Sequence, residues 1–335
     1  MSLIQELPDD FDLSTTTAKV VRSDGTEAVV ELAEAKPSSA EPRAHGGAGP
    51  ADERATGAPA AEPQHGDAKQ DAAAAAGATA GADRKRFTFT LLQNAKFAGF
   101  DHKDTQALLF KWGMQGHCYI KRYAYDQYLE PYNVSAFLVD FFNDNPSIAV
   151  LGARDSWGTL GRVASVEMEP TAHTVTSLDF FDRLTTKGVI RESTGEIKKC
   201  LDEYVDSFLV SDELRKCLLM PEYELYDIFT ENDRREFIFH VFKAICLGGR
   251  LCQFEDELGP YLDVTKKLYK DLITVVKDPQ TGRLRVASLI FKIKSVESSV
   301  SPLFPFEHPQ NFCYVSIDPI RRHVNLWYHA SDAYY

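Results

Sequence analysis

The densest grouping of polar side chains in this sequence is Asp318-Pro319-Ile320-Arg321-Arg322-His323. Two guanidinium forks and an imidazole on one short turn suit a phosphate or an acidic partner peptide, because arginine donates in a planar, bidentate manner. The same run also reads as a solvated hairpin tip in which Asp318 is simply the turn former. A second grouping is the acidic run Glu255-Asp256-Glu257, a docking patch or a solvated face, with Glu255 and Asp256 as its contact candidates. Elsewhere the residue types of catalysis occur without the spacing they need. Gly248-Gly249-Arg250 follows a helix, whereas a phosphate loop precedes one, so the glycines read as a helix stop. His240, Cys246 and Cys252 are too widely spaced for a zinc site, and on a helix the first two point in different directions. His117 and Cys118 are adjacent on a predicted strand and face opposite sides, which separates them as a catalytic pair. No GxSxG elbow or HExxH helix occurs. No catalytic residue, metal ligand or cofactor-binding residue is therefore assigned. Trp112, Tyr119, Tyr123 and Tyr125 either line a small-ligand pocket or fill the core.

Composition restricts where these groups can be held. The chain has 335 residues and a net charge of −12, of which residues 1–84 carry −8 and the remainder −4. Neither part offers the basic field that nucleic-acid binding needs. From Ala33 to Arg86 there is no aliphatic residue larger than alanine, no aromatic, no Met and no Cys. Between Ala35 and Asp83, 30 of 49 positions are Ala, Gly or Pro, too little apolar surface to offset the entropy of ordering. Residues 33–86 thus read as a disordered linker, spanning on the order of 40 Å as a flexible coil. No apolar run approaches a membrane span. The start, MSLIQELPDD, lacks the regions of a secretory signal, and no lipidation motif is seen. The six cysteines include no CxxC pair and are expected to be reduced and mostly buried.

The positioning elements follow from periodicity. Lys19–Arg22 and Ala28–Glu31 flank Ser23-Asp24-Gly25-Thr26, a possible hairpin within an N-terminal segment of residues 1–32. From Arg86 onward, Phe87, Phe89 and Leu91 alternate as a strand. Asp101 or Asp104 caps a helix ending at Trp112 and Gly113. His117 to Tyr125 reads as a strand, and Asn133 caps a helix with Val134, Phe137, Leu138, Phe141 and Phe142 on one face. Arg162 to Glu169 alternates as a strand, and Ser177 to Lys187 reads as a helix stopped by Gly188. Ser211 is the expected N-cap of a helix with Asp212 and Glu213 in its first turn and Arg215 and Lys216 later, an order suited to the helix dipole. Glu231 to Leu247 is expected as one long central helix with a narrow polar stripe of Glu236, His240 and Lys243. Leu272–Lys277 and Leu284–Lys294 flank a turn at Asp278–Gly282, and a second hairpin turns at Asp318-Pro319. The fold class is α+β: mixed helices packed on an antiparallel sheet, with a C-terminal β-hairpin meander, in a single domain over residues 87–330.

Four stretches together are familiar: FLVSDELRKCLL (Phe208 to Leu219), CLGGRLCQFED (Cys246 to Asp256), PYLDVTKKLYKDL (Pro260 to Leu272) and DPIRRHVNLWYH (Asp318 to His329). In this order they resemble the cilia- and flagella-associated protein 300 family, from about Arg86 to Ala330. The resemblance implies a non-enzymatic protein needed for assembly of the outer and inner dynein arms of motile cilia and flagella. Implied partners are cytoplasmic dynein-preassembly factors of the PIH-domain kintoun type, axonemal dynein chains and the intraflagellar transport machinery, with residence in the cytoplasm and the axoneme. It implies no catalytic residues and no cofactor. Two other readings stand beside it: a stable structural component of the axoneme, and an enzyme or small-ligand domain built on the aromatic-rich first part of the fold.

Overall fold

The computed structural model describes residues 85–144, 160–277 and 284–331, together with the backbone of three short strands nearer the N-terminus. Two units are distinguished, residues 1–34 with 87–335 and residues 35–86. Apart from Lys85 and Arg86, the second unit, and with it most of the expected linker, lies outside the described residues. The turn at Asp278–Gly282 lies outside them too.

The first unit is α+β. In chain order its elements are β1 (Ile4–Gln5), β2 (Thr17–Val21), β3 (Glu27–Glu31), β4 (Phe89–Leu91), α1 (Lys103–Lys111), β5 (Cys118–Tyr125), α2 (Val134–Asn143) and β6 (Val163–Pro170). There follow the short α3 (Arg183–Thr186), β7 (Lys199–Val205), β8 (Phe208–Asp212), α4 (Glu213–Leu219), α5 (Glu231–Arg235) and α6 (Phe237–Leu247). The chain closes with α7 (Gly259–Leu272), β9 (Val275–Lys277), β10 (Leu284–Val286), β11 (Leu289–Ser298), β12 (Phe312–Asp318) and β13 (His323–His329). Six strands form one sheet in the order β4-β5-β13-β12-β11-β6, with antiparallel neighbours throughout. A smaller sheet joins β1, β9 and β10, and two ribbons pair β2 with β3 and β7 with β8.

The large sheet has helices on both faces. One face presents Ile120, Ile290, Phe312, Tyr314 and Trp327 to a core that includes α6 and α7. The other presents Tyr123, Tyr125, Val315, Val324, Leu326 and Tyr328 to the aromatic stripe of α2, Phe137, Leu138, Phe141 and Phe142. Residues of alternating orientation are therefore apolar on both sides, and every residue of β12 is buried.

Several local expectations are corrected. His102, not Asp101 or Asp104, caps α1, its side chain accepting from the Asp104 amide. Asn133 stands at the N-cap of α2 without a side-chain cap bond. Residues 177–187 divide into a 3-10 turn (Leu178–Phe181) and α3. Asp212 replaces Ser211 as the cap of α4, accepting from the Arg215 amide at 2.9 Å. The helix expected from Glu231 to Leu247 is broken at Glu236, whose backbone is extended. The cause is tertiary: the Ala172 amide donates to the Arg235 carbonyl and the Phe237 amide to the Ala172 carbonyl, at 2.9 and 2.7 Å. The Glu236 carboxylate also accepts from the Thr174 and Val175 amides at 2.9 and 3.2 Å. These bonds satisfy the backbone at the break as well as a continued helix would.

Candidate functional site

The turn from Asp318 to His323 caps the central hairpin, and the fold holds it firmly. Asp318 is 4% exposed, so it serves the turn and not a surface. Its Oδ1 accepts from the Ile320 and Arg321 amides at 2.8 and 3.0 Å, and its Oδ2 accepts from the Thr274 hydroxyl at 2.9 Å. Arg322 adopts φ 56°, a left-handed conformation uncommon for an arginine. That geometry lets its carbonyl accept from the Tyr125 amide at 2.9 Å, tying the turn to β5. The Arg322 side chain is exposed and reaches the Asp126 carbonyl at 3.3 Å. Arg321 and His323 are half-buried.

Beside the turn lies an open cleft of about 430 Å³, lined by Leu91 to Ala95, Arg122 and His323. Burial and the charge of Arg122 hold the His323 imidazole below its ordinary value. His323 is thus a neutral hydrogen-bonding group at neutral pH, and Arg321 and Arg322 supply the turn's charge. Nothing in the chain's local pattern singles out Arg122, Gln93 or Asn94. Arg122 comes to the turn because β5 pairs with β13 and sets it opposite Asn325, to which its Nε donates at 2.8 Å. The spacing of residues along β5 contains no record of that pairing.

Glu255 and Asp256 lie apart from the turn, in the loop before α7, and they part company there. The Glu255 carboxylate pairs with Lys111 at 2.8 Å and accepts from the Trp112 indole at 2.9 Å, while its amide donates to the Tyr261 hydroxyl at 2.9 Å. It fastens the end of α1 to the start of α7. Asp256 is exposed and pairs with Lys199 at 2.9 Å, and that lysine lowers its pKa.

Of the aromatic residues weighed as a pocket, Trp112, Tyr123 and Tyr125 are core residues on two sides of one sheet, and the half-buried Tyr119 packs against the side that holds Tyr123 and Tyr125. Trp112 is fully buried and stacks on Tyr261 with ring centres 5.0 Å apart. Tyr123 meets Phe141 and Tyr125 meets Phe137, at 5.2 and 5.0 Å, on the opposite face. The sheet separates these sets, so they line no common cavity. All six cysteines are free thiols, four of them buried. Burial pushes Cys118, Cys217 and Cys252 up to about 12. Among the described residues no three His, Cys, Asp or Glu side chains are grouped to hold a metal ion, and no helix is long and apolar enough to cross a membrane.

The described residues thus form an α+β domain with helices on both faces of its main sheet and an arginine turn at one end of the central hairpin. The family model for cilia- and flagella-associated protein 300 matches residues 86–329. The cilia- and flagella-associated protein 300 of Chlamydomonas reinhardtii is 37% identical over 234 residues, covering 68% of this chain and 91% of that protein. That of Paramecium tetraurelia is 33% identical over 234 residues, covering 68% of this chain and 87% of that protein. No solved structure matches. This chain belongs to the cilia- and flagella-associated protein 300 family, a family named for association with cilia and flagella and not for an enzymatic activity.

Proposed function

We propose that this protein is a non-enzymatic factor for assembling the outer and inner dynein arms of motile cilia. It acts as an adaptor between dynein chains and preassembly factors of the PIH-domain kintoun type, in the cytoplasm, and is carried into the cilium by intraflagellar transport. The observation that carries this reading is the family match over residues 86–329, which takes in every element of the six-stranded sheet and the helices on both its faces. The contact surface is Arg321 and Arg322, with the cleft formed by Arg122 and His323 beside them. A turn pinned by Asp318 presents these groups with little ordering left to do on binding, which favours affinity.

The variant Arg321→Glu with Arg322→Glu reverses the charge and leaves the turn's backbone bonds in place. It is expected to reduce pull-down of preassembly factors from ciliating cells about tenfold, with an unchanged melting temperature. Undiminished pull-down removes the turn from the proposal. Normal rows of dynein arms in cells lacking the protein would overturn the assembly role itself.

A further inference from the structure

The ribbon of β7 and β8 carries large apolar side chains on both of its faces. Val205, Phe208 and Val210 turn inward and pack with Met220, Leu247 and Phe254. Tyr204 and Leu209, cross-strand partners, turn the other way and are 70% and 37% exposed. A register shift between Lys199 and Glu203 interrupts the alternation, and the consecutive Leu201 and Asp202 both stand exposed. Leu201, Tyr204 and Leu209 lie outside every core cluster of the described residues. The edge of β7 is open as well. Among the described residues no third strand joins the ribbon, and no backbone hydrogen bond from residues 201–206 leaves it. Val205 and Phe208 close a two-residue turn in which Asp206 takes φ 53°. Such a closing pair is hydrogen-bonded, so the next pair, Tyr204 with Leu209, directs its N–H and C=O groups outward. Asp202 and Asp206 stand two positions to either side of Tyr204, and both are exposed. Among the described residues no hydrogen bond or ion pair engages either carboxylate. His308, within reach of the Asp206 charge, is held below its ordinary value by burial and is neutral at neutral pH. The nearby lysines are taken by other acids, Lys216 by Glu203 and Lys199 by Asp256.

An exposed apolar row beside an unpaired strand edge is a template for one more strand. We infer that the outer edge of β7 is a docking site for an extended segment of a partner protein, which adds to the ribbon as a third strand. The segment's chemistry follows from the side chains it meets. A β-branched or aromatic residue lies beside Tyr204, and a Lys or Arg two positions to each side of it lies beside Asp202 and Asp206. A second copy of this chain does not fit. Two β7 edges paired antiparallel about Tyr204 set Asp202 of one against Asp206 of the other, and like charges in direct opposition repel. The Ala-Gly-Pro tract of this chain does not fit either, having no aromatic and no aliphatic residue larger than alanine. The exposed carboxylates likewise turn away nucleic acid and anionic membranes. This edge depends neither on the Arg321-Arg322 turn nor on the dynein-arm reading.

The test is binding of a fluorescein-labelled peptide, Thr-Lys-Thr-Ile-Thr-Lys-Thr, to the full-length protein, followed by anisotropy at low and moderate salt. Saturable binding that salt weakens is expected, and the same peptide with Glu in place of Lys is expected to bind about tenfold more weakly. Leu201→Ser with Tyr204→Ser is expected to lower affinity about tenfold at an unchanged melting temperature, since both side chains are exposed. Asp202→Asn with Asp206→Asn is expected to lower it about threefold and to flatten the salt dependence, asparagine being at ease in the left-handed turn position. Amide hydrogen exchange is expected to slow over residues 200–206 when the peptide is bound, and not at β4 or β6, the edges of the large sheet. No saturable binding by the parent, equal affinity in the serine variant, equal binding of the glutamate peptide, or no slowing of exchange at β7 would each overturn the assignment. So would a concentration-dependent dimer that the serine variant loses, which makes a second copy the occupant. Full protection of the β7 amides in the free protein would overturn it too, by placing a segment of this same chain on the edge.

Discussion

Arg215, in the first turn of α4, is fully buried, and the two terminal nitrogens of its guanidinium each find polar partners. Asp212 pairs with its guanidinium, and the Cys246 carbonyl and Tyr261 hydroxyl accept from it at 2.7 and 2.8 Å. The Phe254 ring lies 3.5 Å from its central carbon. The sequence presents Arg215 as a cation suiting the end of a helix dipole, but it instead links α4, α6 and α7 through one charge. The Asp212 charge raises its pKa against the burial that lowers it. Removing one partner of such a pair leaves an uncompensated buried charge, at a cost of roughly 3–5 kcal/mol. Arg215→Met is therefore expected to lower the urea midpoint sharply, and Arg215→Met combined with Asp212→Asn to lower it by less than the sum of the two single changes. Additive losses in that cycle would show that the two residues are not coupled.

At the scale of elements, the end of α1 meets the end of α6 with backbone set closely against backbone. Gly113, at φ 68°, leaves space for the Arg250 carbonyl, which a Cβ there would approach to 1.9 Å. The Gly249 amide donates to the Trp112 carbonyl at 2.8 Å, and the Gln253 amide to that of Lys111 at 3.0 Å. Gln310 finishes α6 from the sheet side, its amide nitrogen donating to the Leu247 and Gly249 carbonyls at 2.8 Å each. Read along the chain, Gly113 and Gly248-Gly249 are two helix stops, and they are that. Their joint role as a close crossing appears only when the two ends are set against each other. Gly113→Ala combines a left-handed strain with a clash against rigid backbone, so a loss of about 2–5 kcal/mol is expected in chemical denaturation. Alanine at Gly259, where nothing lies within 4 Å of the added carbon, is the control expected to change little.

For the whole molecule, burial on both faces sets the order of stability. β12 and β13 lie at the middle of the six-stranded sheet between two cores. Among the described residues the β7–β8 ribbon has one partner per strand, and it leaves Leu201 86% and Tyr204 70% exposed. Amide hydrogen exchange followed by mass spectrometry is expected to show β12 and β13 opening last, near the global unfolding free energy, and the ribbon opening far sooner. Equal protection of the two would contradict this order.

The sequence by itself determined the α+β class, the antiparallel β12–β13 hairpin with its Asp318 turn, the buried faces of α2 and α6, and the family. Each of these is written in neighbouring residues: alternation in strands, a 3.6-residue stripe in helices, Asp-Pro at a turn, and four ordered stretches from Phe208 to His329. Only the tertiary structure decided that Glu236 breaks a helix, that Trp112 and Tyr123 lie on opposite sides of one sheet, and that Arg122 stands beside His323. These are pairings between segments far apart in the chain. Periodicity records which face of an element is apolar, but the partner that face meets is chosen by how all the elements pack at once.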